Sequence, residues 1–216
     1  MINGGAALSG TVSTGGAKNS ALPLLFATLL ADGEYRFHNV PLLRDIDSTV
    51  VLLEHLDYTV DRDGGTLAVH AGECGHLDAP YDIVRKMRAS ILCLGPLLTR
   101  YGRAKVSLPG GCAIGTRPIN LHIEALQQMG AEIEIDHGFV VAKAKRLHGA
   151  CIVFENATVG GTENLMLAAT LAKGTTIIEN AAKEPEIVDL AECLVKMGAR
   201  IDGAGSSEIS IEGVEQ

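Results

Sequence analysis

The feature that most constrains this chain is a helix-length segment with no polar face, and it occurs three times. Ala21–Ala31, Ser90–Thr99 and Asn164–Ala172 are apolar almost throughout. A helix that is hydrophobic on all sides must be surrounded, by protein or by lipid. All three fall well short of the roughly 20 residues that span a bilayer, so each is expected at the centre of a protein core.

Each segment opens a repeated unit. A glycine follows it (Gly33, Gly102, Gly174), at the place where a helix ends in a left-handed residue. Next comes a strand pattern, at Glu34–Asn39, Arg103–Leu108 and Thr175–Asn180. A loop containing proline leads to an amphipathic helix, expected at Ile46–Leu56, Ile119–Met129 and Glu186–Met197. Two of these end in Met-Gly-Ala (129–131 and 197–199); the first ends in Leu56-Asp57-Tyr58 instead. A hairpin closes each unit: Tyr58–Arg62 with Thr66–His70, Glu132–Asp136 with Phe139–Ala144, and Ala199–Asp202 with Glu208–Glu212. Alternating apolar residues bounded by turn residues read as strands. Opening strands are expected upstream at Leu8–Ser13 and Cys151–Glu155, with only a poor pattern near Cys74–Asp78 for the middle copy.

Three surrounded helices in one domain predict an α/β (α+β) fold turned inside out. It is a barrel of three βαβαββ repeats, spanning about 16–71, 85–145 and 151–213, with helices at the centre and sheets outside. A doubly wound parallel sheet would give each helix a wet face.

The bulk chemistry excludes several functions. The formal charge is −8, from 18 basic and 26 acidic side chains, which argues against a nucleic-acid surface. An anionic ligand would need a few cations placed locally. The five cysteines contain no Cys-x-x-Cys pair and are odd in number. A disulfide framework or a zinc site is therefore not expected, and a reducing compartment is. The start of the chain lacks a basic segment followed by an apolar one, so no secretory signal is expected. The chain reads as soluble and cytoplasmic, with no membrane partner.

The middle copy breaks the repeat. Its strand-to-helix loop, Pro109-Gly110-Gly111-Cys112-Ala113-Ile114-Gly115-Thr116-Arg117-Pro118, is longer than its counterparts and rich in glycine. Ordering such a loop costs backbone entropy, which a scaffold has no reason to spend in one copy alone. Cys112 reads either as a free thiol in a turn or as a nucleophile or proton donor, with Arg117 favouring its thiolate. Cys93 and Cys193, inside helices, read as small hydrophobes. Lys18 and Arg88 occupy matching places at the start of the first two central helices, where a cation and free N–H groups together favour an anion. Each reads otherwise as a surface ion pair. Asn19 is a polar ligand or a helix cap, and Thr158-Val159-Gly160-Gly161 precedes the third central helix. Glu184, Glu186, Asp189 and Glu192 read as a solvated helix face. His122 reads as structural, or as a ligand contact beside the loop.

Gly16–Pro23, Met87–Ser90, the Cys112 loop and Gly174–Ala182 closely resemble the UDP-N-acetylglucosamine 1-carboxyvinyltransferase family, the enolpyruvyl transferases of peptidoglycan synthesis. The likeness spans essentially the whole chain and corresponds to the N-terminal half of the family's sequence. The related shikimate-pathway transferase shares the fold but lacks this cysteine loop. The resemblance implies transfer of the enolpyruvyl group of phosphoenolpyruvate to the sugar 3-hydroxyl of UDP-N-acetylglucosamine, with phosphate released and no metal or organic cofactor. It makes Cys112 the general acid, the site of a covalent adduct and the target of fosfomycin. It assigns Lys18, Asn19 and Arg117 to phosphoenolpyruvate. It assigns Arg88, Arg117, Pro118, Ile119, Asn120, Leu121, His122, Asn156, Thr158, Val159 and Gly160 to the UDP-sugar. Asn120 stands where the family usually has Asp, and Asn156 where it often has Lys. Family chains are about twice as long and hold the site between two domains. The resemblance therefore implies that residues 1–15 include a strand belonging with the other half, that residues 16–216 form one domain, and that this half alone is weakly active or inactive. The alternative is a non-catalytic module that binds substrate or self-associates through the face the other half would cover.

Overall fold

The structure is a computed structural model that describes residues 4–5, 7, 9–85, 87–108 and 119–215. The three central segments are helical and buried, as their composition requires. α1 (Lys18–Ala27) continues as a 3-10 turn over Thr28–Leu30, and Leu25–Leu30 are almost wholly inaccessible. The second segment begins as a 3-10 helix, Arg88–Cys93, and becomes α4 at Leu94–Tyr101. Pro96 explains the change. It has no N–H to complete an α-helical bond to the preceding turn, so it sits in the first turn of a new helix, where none is needed. α6 (Val159–Ala169) starts five residues before the apolar run, because Thr158 caps it: its hydroxyl accepts the Gly161 N–H at 3.3 Å.

These helices pack on one another. α1 meets both the 3-10 segment and α6, and α4 lies along α6. Gly95 allows the closest approach, since a Cβ there would stand 2.6 Å from the Asn164 carbonyl oxygen. The amphipathic helices α2 (Arg44–His55), α5 (Asn120–Gln128) and α7 (Pro185–Lys196) bury one stripe each. A four-residue α3 (Tyr81–Val84) precedes the second central segment.

Three separate sheets surround the helices. β1 (Gly33–Phe37), β2 (Thr59–Asp63) and β3 (Thr66–Ala71) form an antiparallel sheet in the order β1-β3-β2. β4 (Asp78–Ala79), β5 (Arg103–Ser107), β6 (Glu132–Asp136) and β7 (Phe139–Lys143) pair as β4-β5-β7-β6. β8 (Cys151–Val153), β9 (Thr175–Glu179), β10 (Arg200–Asp202) and β11 (Glu208–Glu212) pair as β10-β11-β9-β8. The opening strands β4 and β8 run parallel to their neighbours and all other pairs are antiparallel. The inside-out α/β arrangement therefore holds, as three sheets rather than one closed barrel among the described residues.

Three expectations need correction. Ser9–Ser13 form no strand, and Leu8 lies outside the described residues. The middle unit does have an opening strand, but it is two residues long and begins at the end of the poor pattern, at Asp78. Only Gly102 (φ 71°) is a helix C-cap. The first central helix ends at Ala31 in extended backbone, and the third ends at Thr170, four residues before Gly174.

Candidate active site

The start of α1 carries three consecutive polar side chains, and each is held by a carboxylate from another element. Lys18 Nζ lies 2.8 Å from Asp45 Oδ2, in the first turn of α2. Asn19 Nδ2 donates to Glu186 Oε1 at 3.4 Å, and Ser20 Oγ donates to Asp189 Oδ2 at 2.6 Å, both on α7. Glu186 and Asp189, expected on a solvated face, thus turn towards α1. They lie three residues apart on one face of α7, and α7 packs along α1. Asn19, its amide spent on Glu186, is not a cap: no side chain caps α1. Its first N–H groups retain their capacity for an acceptor.

Behind this acidic pair lies Glu163 on α6, only 5% exposed. Burial, then the charges of Glu186 and Glu184, push its carboxyl up to about 8. It is a buried acid held protonated by its surroundings over much of the neutral range. Arg88 opens the second central segment, which packs on α1. It is half-buried, and its side chain has no hydrogen-bond or ion-pair partner among the described residues.

A second cluster joins α5 and α6. His122 is buried, and its Nδ1 accepts from Asn164 Nδ2 at 3.0 Å, while Asn164 Oδ1 accepts the Gly95 N–H at 2.9 Å. With Nδ1 accepting, Nε2 carries the proton. Burial pushes the imidazole down to about 4, so His122 is neutral at pH 7. A Cβ on Gly160 would lie 3.6 Å from its ring, which brings the starts of α5 and α6 together. Ile119–His122 and Asn156–Gly160 therefore flank one junction. Asn120 and Asn156 are exposed, Thr158 and Val159 half-buried, and Leu121 packs on the core. Asn120 donates to Glu124 Oε1 at 3.3 Å within its own helix.

Cys112, Arg117 and Pro118 lie outside the described residues with the rest of loop 109–118; its flanks are fixed by Leu108, whose N–H donates to the Gly138 carbonyl at 2.8 Å, and by the start of α5. Sequence reasoning missed Asp45, Glu163 and Asn164. Asp45 read as the end of the loop before α2, Glu163 as the residue standing where the first two copies carry a cation, and Asn164 as the first residue of an apolar helix; a charged and an amide residue at the start of a helix with no wet face were the available signal.

A cavity of about 320 Å³ lies beside the start of α1, lined by Gly16, Ala17, Ser20, His38, Asn39 and Asp189 among others. A larger one, about 520 Å³, lies on α2 against Ile83, away from these clusters except for Arg44 and Asp47 beside Asp45. Among the described residues, no group of three or more His, Cys, Asp or Glu is arranged to hold a metal, and no helix is long and apolar enough to cross a membrane.

The comparisons with known proteins agree on one kinship. A family model for EPSP synthase (3-phosphoshikimate 1-carboxyvinyltransferase) matches residues 2–216. The UDP-N-acetylglucosamine 1-carboxyvinyltransferases of Geobacter metallireducens and Thermodesulfovibrio yellowstonii are each 56% identical over 216 residues, all of this chain and 52% of theirs. The chain thus spans about half the length of the curated relatives it matches. Among solved structures, the enolpyruvyl transferase NikO from Streptomyces tendae superposes with a TM-score of 0.84 at 24% identity, over 98% of this chain and 50% of that one. EPSP synthase from Acinetobacter baumannii gives 0.77 at 18% identity, over 96% and 47%. At those identities the structural likeness concerns the fold.

Proposed function

Because the chain belongs to the EPSP synthase (3-phosphoshikimate 1-carboxyvinyltransferase) family, we propose that it supplies one half of an enolpyruvyl transferase. The transferase joins phosphoenolpyruvate to the 3-hydroxyl of UDP-N-acetylglucosamine, the first committed step of peptidoglycan synthesis. The observation that carries the choice of acceptor is the 56% identity, across the whole chain, to transferases named for UDP-N-acetylglucosamine.

The chemistry adds the sugar hydroxyl to the carbon bearing the phosphate ester and a proton to the neighbouring methylene carbon. Elimination then removes a proton from the new methyl group and expels phosphate. Cys112 serves as general acid, and Lys18, Asn19 and Arg117 meet phosphoenolpyruvate. Lys18 can do so only by leaving or sharing Asp45, and Asn19 by leaving Glu186. The acidic ring around α1 is therefore a set of partners that substrate displaces. Glu163 supports this when protonated, because a third negative charge beside Glu186 would repel a phosphate. Arg88, Arg117, Pro118, the Ile119–His122 turn and Asn156–Gly160 receive the UDP-sugar. His122 acts there through its fixed neutral ring, which a protonated imidazole would not match. The relatives' remaining length would bring the base and further phosphate-binding arginines.

Labelling tests the site without requiring turnover. Treated with fosfomycin, the chain is expected to gain one adduct, on Cys112, and to gain it faster with UDP-N-acetylglucosamine present. An adduct confined to exposed Cys151, or indifference to the nucleotide sugar, refutes the proposal. The second reading, self-association, draws on the exposed Leu42, Val51 and Tyr81 around α2. No adduct, together with concentration-dependent sedimentation, would favour it.

A further inference from the structure

The first repeat departs from the others where α2 ends. Units two and three place glycines there, Gly130 (φ 92°) and Gly198 (φ 105°); unit one places Asp57, at φ 68°. A left-handed backbone suits glycine and only tolerates aspartate, and here the aspartate brings a carboxylate where the other units have none. The carboxylate is seated on the segment joining repeats one and two, residues 72–78. Its Oδ2 lies 3.5 Å from His76 Nδ1. It lies so close to Gly75 that a Cβ there would stand 2.3 Å from it.

A second pair crosses the first. His55, the last residue of α2, has its Nε2 3.6 Å from Oδ2 of Asp78, the first residue of β4. That nitrogen is inaccessible and makes no hydrogen bond. The rings of His55 and His76 lie 5.4 Å apart, inclined at 50°. Cys74 adds a bond within the segment, its thiol donating to the His76 carbonyl at 2.8 Å. Past Asp78 the chain has only the two-residue pairing of β4 with β5 to hold it.

We propose that His55–Asp78 and Asp57–His76 form a proton-operated latch that fastens the inter-repeat segment, and with it β4, to the end of repeat one. Imidazolium closes both pairs, each cation facing its own carboxylate at 3.5–3.6 Å, nearer than the 5.4 Å between the rings, so the attraction within the pairs exceeds the repulsion between the two cations. Neutral imidazole leaves two carboxylates without a cation and the inaccessible His55 nitrogen with a weaker partner. Histidine is the side chain whose charge ordinarily changes near neutral pH. Four of the other charged groups around the junction are engaged elsewhere. Arg100, behind Cys74, is bonded to Asp32. On α3, Asp82 and Arg85 pair with each other. Lys105, opposite Asp78 on β5, places its ammonium over the Phe139 ring at 4.5 Å. Glu54 on α2 and Glu73 within the segment itself are exposed and, being acidic, cannot pair with a carboxylate. None of these replaces an imidazolium.

Amide hydrogen exchange of the 216-residue chain, corrected for intrinsic rate, tests this between pH 5.5 and 8. Protection of residues 78–79 and of Lys105, whose N–H donates to the Leu77 carbonyl at 3.0 Å, is expected to fall threefold or more as pH rises, while that of α4 stays level. The midpoint should match the ring-proton titration of His55 and His76 by NMR. Asp57→Gly relieves the backbone and should keep the thermal midpoint while weakening the pH response; His55→Gln/His76→Gln should abolish it. Protection independent of pH, or a response unchanged in both variants, overturns the latch.

Discussion

Glu163→Gln isolates one physical quantity, the cost of keeping a carboxyl group buried beside other carboxylates. The folded group titrates near 8, against an ordinary value of 4.5. A raised folded value means that the unfolded chain loses this proton first. Below 4.5 both states are protonated and nothing is lost. From 4.5 to 8 the unfolded state is ionised and the folded state is not, so stability declines with each step in pH, by about 1.4 kcal/mol per unit. By pH 8 the carboxyl costs roughly 4 kcal/mol relative to a group that never ionises. Glutamine has the shape of the protonated acid and no such titration. Urea unfolding of both proteins at pH 5, 6.5 and 8 should therefore show a difference under about 1 kcal/mol at pH 5, growing to roughly 4 kcal/mol in favour of the variant at pH 8. Subtraction removes the titrations that the two proteins share. A difference that stays constant with pH would refute the reasoning, and a variant less stable at pH 8 would mean that Glu163 ionises into an attractive partner.

Two further perturbations address the α5–α6 junction. Asn164→Leu strands both the Gly95 N–H and His122 Nδ1. At about 1–3 kcal/mol for each buried group left unpaired, unfolding stability should drop by about 2–6 kcal/mol; a loss under about 0.5 kcal/mol would show the relay to be idle. His122 carries the opposite pH slope to Glu163. Its folded value is depressed from 6.5 to about 4, so its contribution is complete above 6.5 and is lost as pH falls through 4. The wild type should lose roughly 3 kcal/mol more than His122→Gln between pH 7 and pH 4, and parallel denaturant-midpoint curves would show that the ring is not buried neutral.

The repeat was legible because it is written in hydrophobicity, the strongest signal a sequence carries. Every central helix, amphipathic helix and hairpin lies where its pattern predicts, within a few residues. The errors fall where local rules compete. Pro96 splits an apolar run into 3-10 and α segments, and Thr158 draws a helix start upstream through residues that do not look apolar. A strand two residues long, β4, is almost too short for a period to show, and it exists because β5 offers it an edge.

The candidate site was legible only on the ligand's side. Cations at helix starts attract notice because they oppose the helix dipole. Their intramolecular partners do not, because an acidic residue on an amphipathic helix looks the same whether it faces water or another helix. Glu186 and Asp189 were indistinguishable from Glu192 until α7 packed along α1. Seen together, Asp45, Glu186 and Asp189 hold in place the polar side chains that open α1, including those proposed to bind substrate. Asp45 and Glu186 are anions bound to Lys18 and Asn19, the residues of α1 that substrate is proposed to need, while Asp189 holds the neighbouring Ser20. Binding on that view is an exchange of anions rather than a filling of empty positions. On the same proposal its strength depends on how readily the carboxylates withdraw, which would tie the neutral state of Glu163 to the proposed reception of a phosphate.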